Sequence, residues 1–332
     1  MIKTKAVLFT GANAVAVEEV EIPDPGRGEV LIETLCTCVS PGTELRCLSG
    51  KQGGMSPYPF IPGYANVGRI VGGGPGVDIA EGALVLHGGT QKANRGITWG
   101  AHVGMAVRQA HDVIPLDAGT DPVAASVSRL AAIAYHGVRL SNPRPDERVA
   151  VVGLGPIGMF SALLHALTGA RVAGFDLYPE RVALARSLGL EAHETGGGLV
   201  ATAKGVFPEG ADVVVDSTGS AAVLLESSKL GRTPPWGVVL RDLPRLVIQG
   251  SYPAAISLDY HEVFYREYSI LVPRDRTDFD SRVALDLIAR GRLEATRLVT
   301  AVKPPDEAPA VYRGLRERPR EFMTVVFDWR AP

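Results

Sequence analysis

Three glycines carry the clearest chemical signal in this sequence. Gly153, Gly155 and Gly158 stand at the spacing G-x-G-x-x-G. In such a turn the first glycine permits a tight bend, the second lets a pyrophosphate approach the backbone, and the third allows a helix to pack closely on a strand. We therefore predict a dinucleotide site formed by Gly153, Gly155, Pro156, Ile157 and Gly158.

The residues around these glycines are those that such a site needs. An apolar run at 149–152 predicts a buried parallel strand, and residues 159–167 predict a helix. The next predicted strand, at 170–176, ends in Asp176, where a carboxylate can accept hydrogen bonds from an adenosine ribose. The alternative is an ordinary strand–helix–strand unit with Asp176 at the surface, because this glycine spacing also occurs by chance.

Length and composition define the class of protein. A chain of 332 residues suits two domains, and 46% hydrophobic with 21% charged residues is typical of a globular protein. The net charge of −2 argues against nucleic acid or an anionic membrane as a partner. The first residues lack the apolar core of a signal peptide, so we expect a cytoplasmic protein. We expect its partner to be a small-molecule substrate. Three cysteines are too few for a disulfide framework.

The order of predicted elements places further residues beside the cofactor. Short strands separated by glycine and proline predict a β-rich domain up to about residue 120, and alternating helices and strands from about 123 to 267 predict a parallel sheet. Ligands bind outside the carboxyl ends of parallel strands. Two predicted strands end just before the remaining members of the predicted cofactor site, which are Ser217, Thr218, Gly219, Gln249, Gly250 and Ser251.

This arrangement resembles the medium-chain dehydrogenase/reductase superfamily, the alcohol-dehydrogenase-like proteins. The stretch PGYANVGRI at 62–70 is similar to the family's P-G-H-E-x-x-G-x-I, and AAIAYHGV at 131–138 is similar to its segment before the nucleotide-binding domain. The resemblance covers nearly the whole chain and implies an α/β fold. It implies a GroES-like β-rich catalytic domain at residues 1–125 and 267–332 and a Rossmann, doubly wound parallel-sheet domain at residues 126–266.

The resemblance fails at the family's zinc ligands. Pro41, Tyr64 and Ser128 stand at those positions, and the four-cysteine lobe of some members is missing. Zinc prefers thiolate, imidazole or carboxylate ligands, so we predict that no catalytic or structural metal is bound. The stretch SPGTE at 40–44 and the ending VFDW at 326–329 are similar to a zinc-free branch that includes the bacteriochlorophyllide hydroxyethyl dehydrogenases.

Without a metal, other groups must manage the proton that accompanies hydride transfer. Thr43, Glu44 and Tyr64 occupy or adjoin the family's metal positions, and we predict that they line the pocket over the nicotinamide and act on the substrate hydroxyl. The alternatives are a turn hydroxyl for Thr43, a packed ring for Tyr64, and for Glu44 an ion pair with Arg46 or Arg69. His102 and His136 are the next candidate bases, although a lone histidine among apolar residues is more often a core or cap residue.

These residues predict an NAD-dependent dehydrogenase of a secondary alcohol or ketone, such as a sugar, cyclitol or other polyol. A carboxylate at Asp176 repels the 2′-phosphate of NADP, whereas nearby Arg181 would favour it. A zinc-free enone or quinone reductase and a catalytically inactive nucleotide-binding protein are the alternatives. The resemblance also implies a homodimer that pairs edge strands of the second domain, here near residues 251–256, after the predicted strand that begins at Leu246.

Overall fold

A computed structural model describes residues 1–238, 242–253 and 255–330 of the chain. The chain forms two compact units: unit 1 contains Met1–Arg129 and the segment from Leu285 onwards, and unit 2 contains Leu130–Ala284. Among the described residues, no helix combines the length and the apolar character needed to cross a membrane.

Unit 1 is β-rich, as short strands between glycine and proline turns predict. Its elements up to residue 115, with one helix, are β1 (Ile2–Gly11), β2 (Ala14–Ile22), β3 (Glu29–Cys38), α1 (Pro41–Leu48), β4 (Phe60–Ile61), β5 (Asn66–Gly73), β6 (Leu84–His87), β7 (Gly96–Ile97), β8 (Met105–Gln109) and β9 (Ile114–Pro115). The hairpin between β1 and β2 turns at Asn13, whose φ of 59° is a left-handed conformation that asparagine tolerates.

Unit 2 alternates helices and strands. Its elements are α2 (Pro122–Ser141), which begins in unit 1, then β10 (Arg148–Val152), α3 (Pro156–Ala166), β11 (Arg171–Asp176), α4 (Pro179–Ser187), β12 (Glu191–Glu194), α5 (Leu199–Val206), β13 (Val213–Asp216), α6 (Ala221–Ser227), β14 (Arg245–Ile248), α7 (Tyr260–Arg266), β15 (Ser269–Leu271) and α8 (Asp278–Ala289). The last helix continues into unit 1, where β16 (Val299–Lys303), α9 (Ala308–Glu317) and β17 (Thr324–Asp328) follow.

Unit 1 is built from two sheets. One sheet has the order β2-β1-β4-β7, and the other has the order β16-β17-β3-β5-β6-β9, with β8 also paired to β3. Part of the core lies where α9 covers this scaffold, because Val311, Tyr312 and Leu315 recur at helical spacing on one buried face. The ring of Phe9 packs edge-to-face on Tyr312 at 5.0 Å and on Phe60 at 5.6 Å.

Unit 2 contains one parallel sheet of the order β12-β11-β10-β13-β14-β15. This is the strand order of a doubly wound dinucleotide-binding sheet, with its reversal of direction beside β10. The predicted fold class, a Rossmann sheet domain joined to a β-rich domain, is confirmed. Ala150, Phe175 and Val214 belong to the core on which the helices pack.

The sequence interpretation differs from the structure at the end of unit 2. We expected the chain to return to the first domain after residue 266 and the exposed edge to follow the strand at 246. Instead β15 pairs in parallel with β14, with Leu246 opposite Ile270, and becomes the edge strand. The boundary between the units therefore lies at Ala284, and the first boundary lies at Arg129. Of the edge segment predicted at 251–256, position 254 lies outside the described residues.

Candidate active site

The glycine turn of unit 2 joins the end of β10 to the start of α3. Gly153 has a φ of +83°, a conformation that favours glycine, and its N–H donates to the carbonyl of Phe175 at 2.8 Å. Gly158 lies in the first turn of α3, where an added Cβ would come within 1.7 Å of the Gly153 carbonyl oxygen. Both positions therefore require glycine for the turn itself, as the spacing predicts.

Gly155 has a different role, because space remains in front of it. A Cβ added at Gly155 would meet only the guanidinium of Arg181, at 3.9 Å, within a 4 Å radius. Gly155 is the N-cap of α3, and the half-buried Pro156 and Ile157 open this helix. Free backbone N–H groups and the positive end of the helix dipole favour a phosphate at such a position. The residues present fit the pyrophosphate of a dinucleotide.

Asp176 lies beside the glycine turn at the end of β11 and is 7% exposed. Its carboxylate accepts hydrogen bonds from the backbone N–H groups of Leu154, at 2.6 Å, and Tyr178, at 2.8 Å. The guanidinium of Arg181 lies 3.7 Å from the same carboxylate and 4.8 Å from the centre of the Tyr178 ring. Each carboxylate oxygen keeps acceptor capacity for a ribose hydroxyl. The acid and the arginine that bear on cofactor choice are therefore neighbours.

The loop after β13 contains Ser217, Thr218 and Gly219, three of the residues predicted to lie beside the cofactor. The backbone N–H and hydroxyl of Thr218 donate to Asp216, at 3.0 and 2.8 Å, so this side chain braces the loop. The backbones of Gly219 and Gly250 are in close contact, because a Cβ at Gly250 would lie 2.6 Å from the Gly219 nitrogen. The hydroxyl of Ser217 is buried without a hydrogen-bond partner among the described residues, so it is available to a ligand.

Gln249 faces α2, whereas Ser251 is exposed. The Gln249 amide donates to the Ile133 carbonyl at 3.2 Å, and its oxygen occupies the space of an absent Cβ at Gly137, 1.8 Å from the position that atom would take. That oxygen is buried and has no donor among the described residues. Because Gly137 lacks a side chain, α2 and the end of β14 can approach closely.

The predicted catalytic residues of unit 1 surround a cluster of hydroxyl groups. Tyr64 is 8% exposed and donates a short hydrogen bond to the Ser40 hydroxyl. Burial raises the pKa of Tyr64 to about 12, and hydrogen bonds with Ser40 and Thr43 partly offset this rise. Tyr64 is therefore protonated at neutral pH and acts as a donor. We call Ser40, Thr43 and Tyr64 the hydroxyl cluster.

Thr43 belongs to this cluster but has a second partner. Its hydroxyl accepts a hydrogen bond from the Arg46 guanidinium at 3.3 Å. Ser40 was not identified from the sequence, although a serine before Pro-Gly at the start of α1 is a helix-start signal that could have drawn attention to it.

Glu44 is fully buried, and its ion-pair partner differs from our expectation. Its carboxylate accepts from the Ser40 backbone N–H at 2.7 Å, contacts His102 Nε2 at 3.0 Å and accepts a short hydrogen bond from the Tyr312 hydroxyl. The sequence interpretation favoured Arg46 or Arg69 as the partner. Those side chains point elsewhere, since Arg46 also donates to Gln52 and Arg69 donates to the Gly82 carbonyl. Because Glu44 has no accessible surface, it cannot contact a substrate directly.

The two remaining histidine candidates lie in different environments. His102 is buried beside Glu44, and its Nδ1 lies 2.8 Å from the Thr37 hydroxyl. His136, on α2, contacts Asp280 at 2.8 Å, and Arg139 donates to the other oxygen of that carboxylate at 2.9 Å. The interactions with Arg139 and Thr277 outweigh the effect of burial and lower the pKa of Asp280 to about 2. His102 is therefore a core residue of unit 1, and His136 belongs to an ion-paired group in unit 2.

The donor set at the family's metal positions does not fit zinc. The Tyr64 hydroxyl is bonded to Ser40, and the Ser128 hydroxyl donates to the Ala125 carbonyl at 2.6 Å within α2. Burial raises the pKa of Cys36, Cys38 and Cys47 to about 12, which disfavours the thiolate that zinc requires. Over residues 1–238, 242–253 and 255–330, no three His, Cys, Asp or Glu side chains group as metal ligands.

Comparisons with known proteins place the chain among dehydrogenases, although no protein-family model matches it. It is 31% identical over 273 residues to the zinc-type alcohol dehydrogenase-like protein YphC of Escherichia coli K12, covering 71% of this chain and 75% of that protein. It is 25% identical to the 2-desacetyl-2-hydroxyethyl bacteriochlorophyllide A dehydrogenase of Rhodobacter capsulatus, with 99% of both chains covered.

Solved structures share the fold. A structure described as a zinc-binding dehydrogenase from Sinorhizobium meliloti 1021, bound to NADP, superimposes with a TM-score of 0.83 at 24% identity over 99% of this chain and all of that chain. Other structures of this fold contain NADH or NAD. At 24% identity or less, these structures show that the fold is shared, and their nicotinamide dinucleotides are ligands of those proteins.

Proposed function

This chain belongs to the alcohol-dehydrogenase-like family of medium-chain dehydrogenases and reductases, oxidoreductases that act on CH–OH groups, and we propose that it interconverts a secondary alcohol and a ketone with NAD and without zinc. The observation that carries this proposal is the hydroxyl cluster, in which Tyr64 stands where the family has a zinc ligand and donates to Ser40. A cyclic or open-chain polyol is the proposed class of substrate.

The cofactor, when bound, supplies or accepts the hydride. Gly153, Gly155 and Gly158 would hold its pyrophosphate at the start of α3, and Asp176 would accept hydrogen bonds from the hydroxyls of the adenosine ribose. We propose NAD over NADP because the Asp176 carboxylate repels a 2′-phosphate. The Arg181 guanidinium, 3.7 Å from the same carboxylate, balances part of its charge, so it weakens this preference without reversing it.

The hydroxyl cluster manages the proton. When a ketone is reduced, hydride adds to the carbonyl carbon, and the developing alkoxide takes a proton from Tyr64, which is protonated because its pKa is about 12. Tyr64 thereby gives up its donation to Ser40. The Ser40 hydroxyl then turns to donate its proton to the tyrosine oxygen and takes a proton from water, which leaves hydroxide in the solvent. Oxidation of the alcohol is the reverse. Glu44 is a positioning residue that holds the Ser40 backbone.

Zinc independence follows from the unsuitable donors at positions 41, 64 and 128. The test is metal analysis of the purified protein, together with turnover after dialysis against a chelator. We expect less than a stoichiometric amount of zinc and unchanged turnover. A stoichiometric zinc that survives dialysis would show that these positions are wrongly aligned with the family's ligands.

Activity panels test the reaction. The protein is incubated with NAD and a panel of secondary alcohols and polyols, and separately with NADPH and a panel of enones and quinones. We expect turnover only in the first set. Turnover only in the second set would establish a reductase, and cofactor binding without turnover in either set would indicate an inactive nucleotide-binding protein. Titration of NAD and NADP by intrinsic fluorescence decides the cofactor, and tighter binding of NADP contradicts the choice based on Asp176.

We also propose that the protein is a homodimer. The parallel sheet of unit 2 has the edge strands β12 and β15, and we propose pairing through β15, where Ile270 is 41% exposed. The proposal rests partly on family resemblance. Light scattering at micromolar concentration should report a dimer, and Ile270→Glu should shift it to a monomer. A monomeric wild-type protein contradicts this assembly.

A further inference from the structure

Trp99 is an exposed aromatic side chain that contacts the proposed catalytic tyrosine. Its indole packs edge-to-face on the Tyr64 ring, with centroids 5.3 Å apart and planes at 88°. The guanidinium of Arg129 also lies over the Tyr64 ring, 5.5 Å from its centroid. Tyr64 is nearly buried, yet Trp99 remains 41% exposed. The indole therefore extends the surface next to the hydroxyl cluster.

The backbone at Trp99 is strained. Its φ is +68°, in the left-handed region that non-glycine residues rarely adopt and that is an outlier for a bulky residue. The strain persists because the residues on both sides are anchored. Thr98 is buried and accepts from the Ser56 N–H at 3.0 Å, and the Gly100 carbonyl accepts from the Thr90 N–H at 2.9 Å. Surrounding structure thus holds the tryptophan in an unfavourable conformation.

Folding does not account for this arrangement. A strained backbone and a large exposed apolar side chain both oppose stability, and residues of this kind cluster at active sites and ligand contacts. Trp99 also has no side-chain hydrogen bond within the described residues, so its indole N–H is available. Because Trp99 lies beside Tyr64, the ligand that covers its indole should be the substrate whose oxygen takes the proton of Tyr64.

We infer that Trp99 is a specificity-determining residue that stacks against a ring carried by the substrate next to its reacting carbinol carbon. This inference rests on the proposed function, since it assigns a substrate class to the same site. An indole face binds either a planar aromatic ring or the C–H face of a saturated ring, because both present apolar or weakly positive surface to its π-system. An open-chain alcohol offers no such face and gains little from Trp99.

The test uses the intact protein with NAD and three secondary alcohols of equal carbon number: 1-phenylethanol, 1-cyclohexylethanol and 2-octanol. Trp99→Asn removes the ring and suits the positive φ, since asparagine tolerates that conformation. We expect kcat/KM to fall about tenfold, through KM, for one or both ring alcohols and to stay within about twofold for 2-octanol, a difference of about tenfold corresponding to one aromatic contact. Trp99→Phe should recover most of the loss.

The two ring alcohols show which kind of ring Trp99 binds. A loss of kcat/KM confined to 1-phenylethanol indicates a planar ring, and an equal loss for both alcohols indicates that either kind of ring face is bound. Equal losses for all three alcohols would overturn the inference, as would no loss for any of them. Trp236→Phe is the matched control, because Trp236 is 80% exposed in unit 2 and should leave all three values unchanged.

A binding measurement separates this inference from the proposed reaction. 1-Phenylethanol should quench the fluorescence of the wild type and of Tyr64→Phe but not that of Trp99→Phe, whether or not turnover occurs. If the wild type binds the alcohol in this way but oxidises none of the three, the proposed function fails and the stacking role stands. If all three alcohols are oxidised but quenching is the same in Trp99→Phe, the stacking role fails and the proposed function stands.

Discussion

The glycine turn of unit 2 and the hydroxyl cluster of unit 1 are built in opposite ways. The glycine turn is made by main chain within one short segment, and its requirements are met by the absence of side chains at Gly153, Gly155 and Gly158. The hydroxyl cluster is made by side chains, and the Glu44 carboxylate that supports it is bonded to Tyr312, 268 residues away. A turn made by local backbone can be recognised from residue spacing, whereas the hydrogen-bond partners of side chains such as Glu44 cannot.

The two regions also differ in how they depend on buried charge. The glycine turn presents backbone N–H groups and a helix terminus, and the Asp176 carboxylate that accepts from the Leu154 N–H in this turn comes from the neighbouring strand β11. The hydroxyl cluster is supported by a buried carboxylate whose partners are His102, Tyr312 and the Ser40 backbone. Losing one partner of a buried charge is costly, because the remaining groups stay unpaired in a medium of low dielectric constant. We therefore expect variants of the glycine turn to lose NAD affinity, and variants of the hydroxyl cluster and its support to lose turnover or stability.

Tyr64→Phe has the largest expected effect. It removes one hydroxyl from the cluster and preserves the ring that packs on Trp99, so the turnover rate should fall by about two orders of magnitude or more, the usual scale for a general acid. Steady-state kinetics and a fluorescence titration measure the change, and NAD affinity should stay unchanged. Tyr58→Phe is the control, because the Tyr58 hydroxyl only bonds backbone carbonyls in the same unit. Near-normal turnover of Tyr64→Phe would show that another group donates the proton, and His136 would be tested next.

Gly158→Ala tests the glycine turn. Its new Cβ would lie 1.7 Å from the Gly153 carbonyl oxygen, so the turn must shift, at a cost of about 1–3 kcal/mol and a loss of NAD affinity of about 10- to 100-fold. Gly205→Ala, in α5, is the control, since an added Cβ there meets nothing within 4 Å. Isothermal titration with NAD and urea unfolding measure both quantities. If Gly158→Ala bound NAD as tightly as the control, the glycine turn would not be the cofactor site.

Glu44→Gln tests the long-range support of the hydroxyl cluster. The amide keeps the shape of the carboxylate but cannot accept from all three partners, so the free energy of unfolding should fall by about 1–3 kcal/mol. Turnover should fall less than in Tyr64→Phe, because Glu44 cannot contact a substrate directly. The control is Glu33→Gln, on an exposed side chain of β3. Unchanged stability of Glu44→Gln in urea would contradict the role of this carboxylate as the centre of the network.

Acid should weaken both units through buried histidines whose pKa is lowered, His87 in unit 1 and His165 in unit 2. Burial lowers the pKa of His87, in unit 1, to about 3 and that of His165, in unit 2, to about 4, against an ordinary value of 6.5. The neutral rings stabilise the fold fully above pH 6.5. As the pH falls towards these lowered values the unfolded chain binds more protons, so each ring costs about 1.4 kcal/mol per pH unit.

Unfolding in urea between pH 7 and pH 4.5 measures this slope. His87→Gln and His165→Gln should each flatten it, whereas His111→Gln, at an exposed position, should not. A slope that is identical in all three variants would show that the buried imidazoles do not govern acid stability. This effect is the same in kind for the two units, whereas the earlier variants affect them differently.

Several features could be predicted from the sequence because they depend on local residues. The glycine spacing, the apolar run before it and Asp176 at the end of the next strand specify a turn, a buried strand and a helix that are near neighbours in the chain. The two-domain fold class follows from the periodicity of short segments and from the family resemblance. The sequence also shows Pro41, Tyr64 and Ser128, which are not ordinary zinc ligands, at the positions aligned with the family's metal site, and zinc independence stays a prediction.

Tertiary structure alone decided the partners of those residues. Glu44 pairs with His102 and Tyr312 instead of a nearby arginine, Ser40 receives the Tyr64 hydrogen bond, and β15 takes the edge of the sheet. Each outcome depends on which distant segments pack together, and side chains far apart in sequence carry no mark of that proximity. The strained backbone of Trp99 is likewise set by anchors on both sides, so its exposure beside Tyr64 appears only in the folded protein.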